Sequence, residues 1–383
     1  MSTETLIALV PKPKMSSVIL SRMVFREVVL PFFFSLGAMS LLFLIGKLFT
    51  HVEPLLAAGI SLREFIKLNL LMLPIFLYVL IPICSLLGVL IAFLRMSRDS
   101  EILALFSCGI GPSRLLYPLV AIASAAFISS LLVSAVVVPY SKRETGKFME
   151  DITEKALLRG IPAKRFFTPT RGLTFFVDST SDQGRRFQGV FIRDARNESF
   201  SYDILARNGG LSIDARSGRV VLKLFDGRLF SVSSDYLRSD TVDFHRYLLS
   251  ISSTSEPGNR LRRGQMTTWE LLDASSDLTI KHSKRLKYLV EFHKRIGIPF
   301  GAFVLCLLAA PLGIFFGRGG MSQGICVGLA SFLAYYLLIL FGTTLAEDGY
   351  LSALLGVWIP NLLLSLLALA AYRQLFLKGP LQG

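Results

Sequence analysis

This chain of 383 residues lacks the usual carriers of catalysis. Gly46-Lys47 and Gly146-Lys147 are followed by Leu48 and Phe148, and neither pair has the upstream glycine of a phosphate-cradling G-x-x-x-x-G-K-[ST] loop. His51, His245, His282 and His293 are too scattered for a metal cluster, no cysteine pair has ligand spacing, and no G-x-S-x-G elbow occurs. The four cysteines, Cys84, Cys108, Cys306 and Cys326, all lie outside the polar middle of the chain. A disulfide framework is therefore excluded there, and the cysteines within apolar runs read as small packing residues.

Apolar length, in contrast, is abundant: 52% of residues are hydrophobic and only 18% charged, too apolar for one soluble domain of this size. A bilayer core about 30 Å thick takes roughly 20 helical residues to cross. Six stretches meet that length, at 28–49, 65–94, 115–140, 296–316, 324–345 and 351–372. The first is longer than a signal-peptide core and lacks a small-residue cleavage site, so it is expected to remain as an anchor. Before it, a tail with Pro11 and Pro13 leads into an expected interfacial helix.

Six spans put both termini on one side. Arg22, Arg26, Arg95, Arg98, Arg114 and Arg373 lie on that side, against mainly Arg63 and Lys67 in the opposite short loops, which makes the termini cytoplasmic. The insert between spans three and four is basic at its flanks as well, from Lys142 to Lys147 and from Lys281 to Arg295. Long domains translocate largely regardless of charge, so the short loops decide. The net charge of +14 then divides between a topology signal and a basic domain base suited to an anionic ligand or lipid head groups. No nucleic-acid partner is expected.

The predicted organisation is a tail and interfacial helix over 1–27, three spans over 28–140, a polar insert over 141–293, and three further spans with a short tail over 294–383. The insert reads as short strands at 173–177, 187–192, 201–205, 220–225, 229–232 and 242–251. Asp182-Gln183-Gly184, Asn208-Gly209-Gly210, Ser217-Gly218 and Asp226-Gly227 supply the positive-φ positions of tight turns, and Asp226-Gly227 is the strongest hairpin signal. This spacing suggests an antiparallel sandwich or jelly roll. Val220, Val221, Leu222, Leu224 and Phe225 are apolar on both faces, which fits either a strand covered on both sides or an interior holding a hydrophobic ligand. From Thr268 to His293 a helical pattern returns the chain to span four.

Between spans two and three, 97–109 reads as one short amphipathic helix. Ser97 or Asp99 is positioned to cap it, and Gly109 and Pro112 to stop it. Ile102, Leu105 and Phe106 share an apolar face, and Arg98 and Glu101 a polar one. Such a helix either lies on the inner membrane surface or plugs into a groove on a cytoplasmic partner. Gly297 and Gly301, Gly313 and Gly317, and Gly320, Gly324 and Gly328 have the small-xxx-small spacing of close helix contacts, within one subunit or between two. Lys47, late in span one, either snorkels to the interface or meets a cavity or an anion.

Three features together resemble the LptF/LptG permease family of bacterial lipopolysaccharide export over nearly the whole chain. They are the three-plus-three spans around an inserted β-domain, Ser100-Glu101-Ile102 ending in Cys108-Gly109, and Glu291 with Arg295 entering span four. The resemblance implies an α-helical membrane protein with an inserted antiparallel, jelly-roll-like periplasmic domain. It would be one half of an LptF–LptG pair in the bacterial inner membrane, served by an LptB ATPase dimer, joined by LptC, and delivering lipopolysaccharide to an LptA-type bridge.

The chain itself would hold no cofactor, ATP and Mg being bound by the partner ATPase. Glu101, with Arg98, Ile102 and Leu105, would form the coupling helix. Lys47 and Arg295 would meet the phosphate-bearing head group, and spans one and five would form a lateral gate, with Gly313, Gly317, Gly324 and Gly328 in helix packing or gating. The alternatives are a lipoprotein-release or efflux permease, which usually has four spans, and a membrane-anchored assembly protein with no transport cycle.

Overall fold

A computed structural model describes residues 17–57, 61–158, 163–170, 172–182, 185–195, 200–213, 220–233, 239–250, 261, 263–317 and 319–378. The expected tail with Pro11 and Pro13, and the Ser217-Gly218 turn, lie outside them. The chain divides into two compact units, one of 1–48, 69–143 and 261–383 and the other of 49–68 and 144–260. The return segment 261–293 thus belongs with the membrane helices.

The first unit is helical because a chain in lipid must satisfy its backbone polar groups internally. Its helices, three of which continue into the second unit at 49–57, 62–68 and 144–158, are α1 (Ser17–Ala57), α2 (Leu62–Arg98), α3 (Glu101–Ser107), α4 (Pro112–Leu132), a π turn at Val133–Val137, α5 (Val138–Leu158), α6 (Thr268–Ser276), α7 (His282–Phe316), α8 (Met321–Glu347) and α9 (Ala353–Lys378). Six stretches of these are long and apolar enough to cross a membrane, as the hydropathy predicts. The interfacial helix and span one are one continuous helix, and Leu20, Val24 and Val28, spaced one turn apart, are all buried. No break separates them because the same stripe runs through both.

Burial sorts the spans. The apolar windows of α2 and α7 are 61% and 72% buried, against 11% for α1 and 22% for α8. Helices α2 and α7 therefore form the centre of the bundle, while α1 and α8 present most of their surface outward. Lipid is as apolar as leucine, so close backbone approach rather than hydrophobic drive must hold such a pair. The glycines serve this purpose. A Cβ on Gly313 would lie 2.6 Å from the Phe93 Cβ, and one on Gly317 would lie 2.6 Å from the Ser97 hydroxyl. On α8, Gly324 and Gly328 face Leu94 and Leu90 of α2 in the same way. All four pack within this chain.

In the second unit, β1 (Phe167–Thr170), β2 (Leu173–Ser181), β3 (Arg186–Asp194), β4 (Phe200–Ile213), β5 (Val220–Ser233) and β6 (Ser239–Ser250) form one antiparallel sheet in consecutive order. The inserted antiparallel domain is as expected, and it is built as an open six-stranded meander. Two turn assignments are corrected. Asp226-Gly227 lies inside β5, and Asn208-Gly209-Gly210 lies inside β4, so each segment is one long strand. Asp182, with φ 55°, does lie in the β2–β3 connection.

The misplaced turn residues mark a crease. Pairing runs from Val177↔Val190 to Ser179↔Gln188 and skips Asp178 and Gly189. It likewise skips Arg207 and Asp226 between β4 and β5, and Asp226 and His245 between β5 and β6. The register is unchanged, so a line of unpaired residues crosses five strands. Gly189 and Asp226 take φ of 63° and 49° on this line. Inward residues then fall three apart, as at Phe187 and Val190, and both halves turn the same face into one core with Phe175, Val177 and Leu224. An Asp-Gly pair suits a mid-strand bend as well as a turn, because both need only a positive φ.

The core face is filled by side chains, which favours a packed interior among the described residues. A cavity of about 790 Å³ lies on the other face along the crease, lined by Phe191, Leu205, Arg207, Asp226, Arg228 and His245 among others.

Candidate functional site

The segment joining α2 to α4 is an elbow. Helix α2 continues through Ser97 and Arg98, and the Ser97 hydroxyl donates to the Ile314 carbonyl at 3.1 Å, tying this end to α7. The chain reverses at Asp99 and Ser100, where Ser100 takes φ 61°, and α3 starts at Glu101. The expected cap by Ser97 or Asp99 is therefore corrected. Ser97 is still helical and spends its hydroxyl on α7, while Asp99 faces Arg98 at 3.4 Å and Arg95 at 3.9 Å. Arg98 accordingly pairs with Asp99, its neighbour in the turn.

The C-terminal stop follows the sequence. Gly109 has φ 77°, and the Ile110 N–H donates to the Leu105 carbonyl at 3.0 Å, a Schellman closure that only glycine adopts without strain. Pro112 then begins α4 at a position where its missing N–H costs nothing.

The faces of α3 are distinct. Ile102 is 1% exposed, and Leu105 and Phe106 pack against the bundle core. These apolar residues anchor the helix to its own chain. The outward face consists of Ala104, Ser107 and Cys108, with Glu101 at its edge. Glu101 Oε2 has no hydrogen-bond partner among the described residues. The elbow also reaches α1, since Arg95 contacts Glu27 at 3.0 Å as well as Asp99. Sequence reasoning missed this link, although a lone acid at the start of an apolar span was its signal.

Lys47 lies within α1, and its side chain is outside the described residues. Arg295 is 3% exposed in α7, where one guanidinium nitrogen donates to the Arg263 carbonyl at 3.3 Å and Nη1 has no partner among the described residues. Below it, the Tyr335 hydroxyl of α8 donates to Asn361 Oδ1 of α9 at 3.1 Å, and Gly301 of α7 faces the same hydroxyl. Asn361 also donates to the Val357 carbonyl at 3.0 Å. Three spans are thus joined by one polar clamp that the search for charged residues overlooked.

The described residues contain no cluster of histidine, cysteine or acidic groups able to hold a metal. What the arrangement offers is mechanical: an exposed elbow fastened to the two central helices and to an outer one. Residues 22–374 match the family described as "Lipopolysaccharide export system permease LptF/LptG". The chain belongs to this family. It is a multi-pass inner-membrane permease of the lipopolysaccharide export system. A curated relative, the uncharacterized protein RP871 of Rickettsia prowazekii (strain Madrid E), is 25% identical over 253 residues, 66% of this chain and 69% of the relative. The LptF/LptG assignment covers the elbow, all six candidate spans nearly in full, and the inserted sheet. Six candidate spans also separate it from the four expected of a lipoprotein-release permease.

Proposed function

We propose that this LptF/LptG permease couples a partner ATPase to the extraction of lipopolysaccharide from the inner membrane, and that α3 is the coupling helix. The observation that carries the reading is the two-faced elbow: its apolar side is buried in the bundle, and its outward side, Ala104, Ser107 and Cys108, is exposed with the half-buried Glu101 at its edge. An LptB-type ATPase dimer, which binds ATP and Mg²⁺, pushes on this side. Because Ser97 is fastened to α7 and Arg95 to α1, movement of the elbow reaches both the central pair and span one. This chain hydrolyses nothing and binds no cofactor of its own.

The lipid-binding cavity forms between this chain and the paralogous permease, and LptC and an LptA-type bridge receive the lipid. Helices α1 and α8, the least buried pair in the first half and second half of the bundle, line the lateral gate. Lys47 and Arg295 supply cationic donors for head-group phosphates, Arg295 once the bundle opens around its unpartnered Nη1. Both termini are cytoplasmic and the sheet is periplasmic, a reading supported by the arginines of the short loops.

The test is Glu101→Ala in the co-expressed complex, followed by co-purification of the ATPase and transfer of lipopolysaccharide from proteoliposomes. Lost or weakened association with a folded permease is expected. Unchanged association and transfer would remove Glu101 and its helix from the coupling role.

A further inference from the structure

Helix α6 has one face bolted down and one face open. Thr267 and Glu270 form a reciprocal cap: the Glu270 N–H donates to the Thr267 hydroxyl at 3.3 Å, and the Thr267 N–H donates to Glu270 Oε2 at 2.6 Å. Arg143 also donates to Glu270, and Leu271 is fully buried. On the other side, Trp269 is 76% exposed, Leu272 is 37% exposed, and Leu278 just past the helix is 83% exposed. Trp269 and Leu272 are neighbours at i, i+3, while Leu271 lies across the helix from the tryptophan.

The tethers of this segment set its level. Arg143, on the helix that continues span three, holds Glu270. Arg285, in the first turn of α7, donates to the Ser275 carbonyl at 2.8 Å, and Arg263 donates to Glu347 at the end of α8 at 2.6 Å. Three helix ends from the same side of the bundle thus converge on α6 and its flanks, where apolar runs give way to charge. Tyr350, 80% exposed, follows α8 in a loop whose Gly349 lies against Leu286 of α7. Lys281, Lys284 and Lys287 are exposed along the first turns of α7.

We propose that the Trp269 face of α6 lies in the lipid head-group layer on the side of the inserted domain, as an interfacial anchor of the return segment. Nine residues are too few to span the bilayer. The composition is that of an interface: tryptophan and tyrosine with an apolar body and a polar tip, leucines to enter the acyl boundary, and lysines to meet lipid phosphates. A water-facing segment has no use for exposed Trp269 and Leu272 one turn apart, with Leu278 exposed just beyond. A purely protein partner accounts for the leucines and leaves the lysine row unexplained. The anchor is independent of the cargo, and it holds the strap that enters span four at a fixed depth while the bundle moves.

The chain has two tryptophans, and Trp358 packs against Phe300 within the bundle at 5.6 Å between rings. The full chain is placed in phosphatidylethanolamine/phosphatidylglycerol nanodiscs, and the emission of Trp269 is read from Trp358→Phe, or as the difference between wild type and Trp269→Phe. Phospholipid brominated near the head-group end of its chains is expected to remove about half of that emission, with little quenching by aqueous iodide. Strong iodide quenching without bromolipid quenching would show a water-facing helix and overturn the anchor. Quenching by neither would show a protein-covered face and overturn it equally.

Discussion

Arg95 of α2 and Glu27 of α1 approach to 3.0 Å, and the same guanidinium lies 3.9 Å from Asp99 in the turn that begins the coupling elbow. One side chain thus connects span one to the segment on which the ATPase is proposed to act. The pair is partly exposed, so its worth lies in the range of about 0.2–1 kcal/mol, or a few-fold in an equilibrium. Glu27→Gln is expected to lower lipid-dependent ATPase stimulation by up to about five-fold with the complex intact, and to have no further effect in an Arg95→Gln background. An equal loss in that background would show that the contact does not transmit.

The clamp of Tyr335 and Asn361 makes a separate prediction. Gly301 faces the tyrosine hydroxyl so closely that Gly301→Ala must displace it, at a cost of about 1–3 kcal/mol. Tyr335→Phe removes the hydrogen bond to Asn361 for about 0.6 kcal/mol. The hydroxyl is the nearest obstructing atom, with the ring Cε1 still 2.8 Å away, so the double variant is expected to be partly relieved and less destabilised than the sum of the two. Thermal unfolding in detergent measures the cycle, and simple additivity would place the clash elsewhere.

The crease in the sheet depends on Gly227, where an added Cβ would meet the Phe244 ring at 2.6 Å and the Leu205 carbonyl more closely still. Gly227→Val is expected to cost about 1–3 kcal/mol and to open the inserted domain to limited proteolysis in the full chain. Asp226→Gly, at φ 49°, relieves a conformation that asparagine, aspartate and glycine tolerate best, and is expected to leave proteolytic resistance unchanged or raised.

Glu270 carries a pH dependence of known sign. The Thr267 N–H it accepts, aided by Arg143, holds its carboxyl below the usual carboxylate range despite some desolvation. A lowered folded pKa means that the cap is fully stabilising above the ordinary value of about 4.3 and is lost as pH falls through the depressed one. Exchange of the α6 amides is expected to be insensitive to pH near neutrality, after correction for intrinsic rate, and to gain an extra opening only on acidification. Glu270→Gln should show weaker protection at neutral pH and no such acid step.

Much of the elbow was legible because local chemistry dictates it. Gly109 and Pro112 end one helix and begin another by backbone geometry alone, and both do so here. Its start was not legible. Ser97 looks like a cap in isolation, yet its hydroxyl is taken by Ile314 on a helix more than two hundred residues away. The outward direction of α3 was equally hidden, since an amphipathic pattern states which residues share a face and not whether that face turns to a partner or to its own bundle.

Taken by itself, the order of amino acids determined the six spans, the inserted strand-rich domain, the stop at Gly109 and the small-residue seams. Each follows from interactions within a few residues or from the demand that lipid places on every backbone amide. Tertiary structure alone decided that Asp226-Gly227 bends a strand instead of ending it, that Arg95 joins span one to the elbow, that Gly301 makes room for Tyr335, and that Trp269 faces outward. These outcomes depend on which distant segment arrives alongside, and a positive φ, a spare hydroxyl or a missing Cβ is compatible with several neighbours until packing selects one.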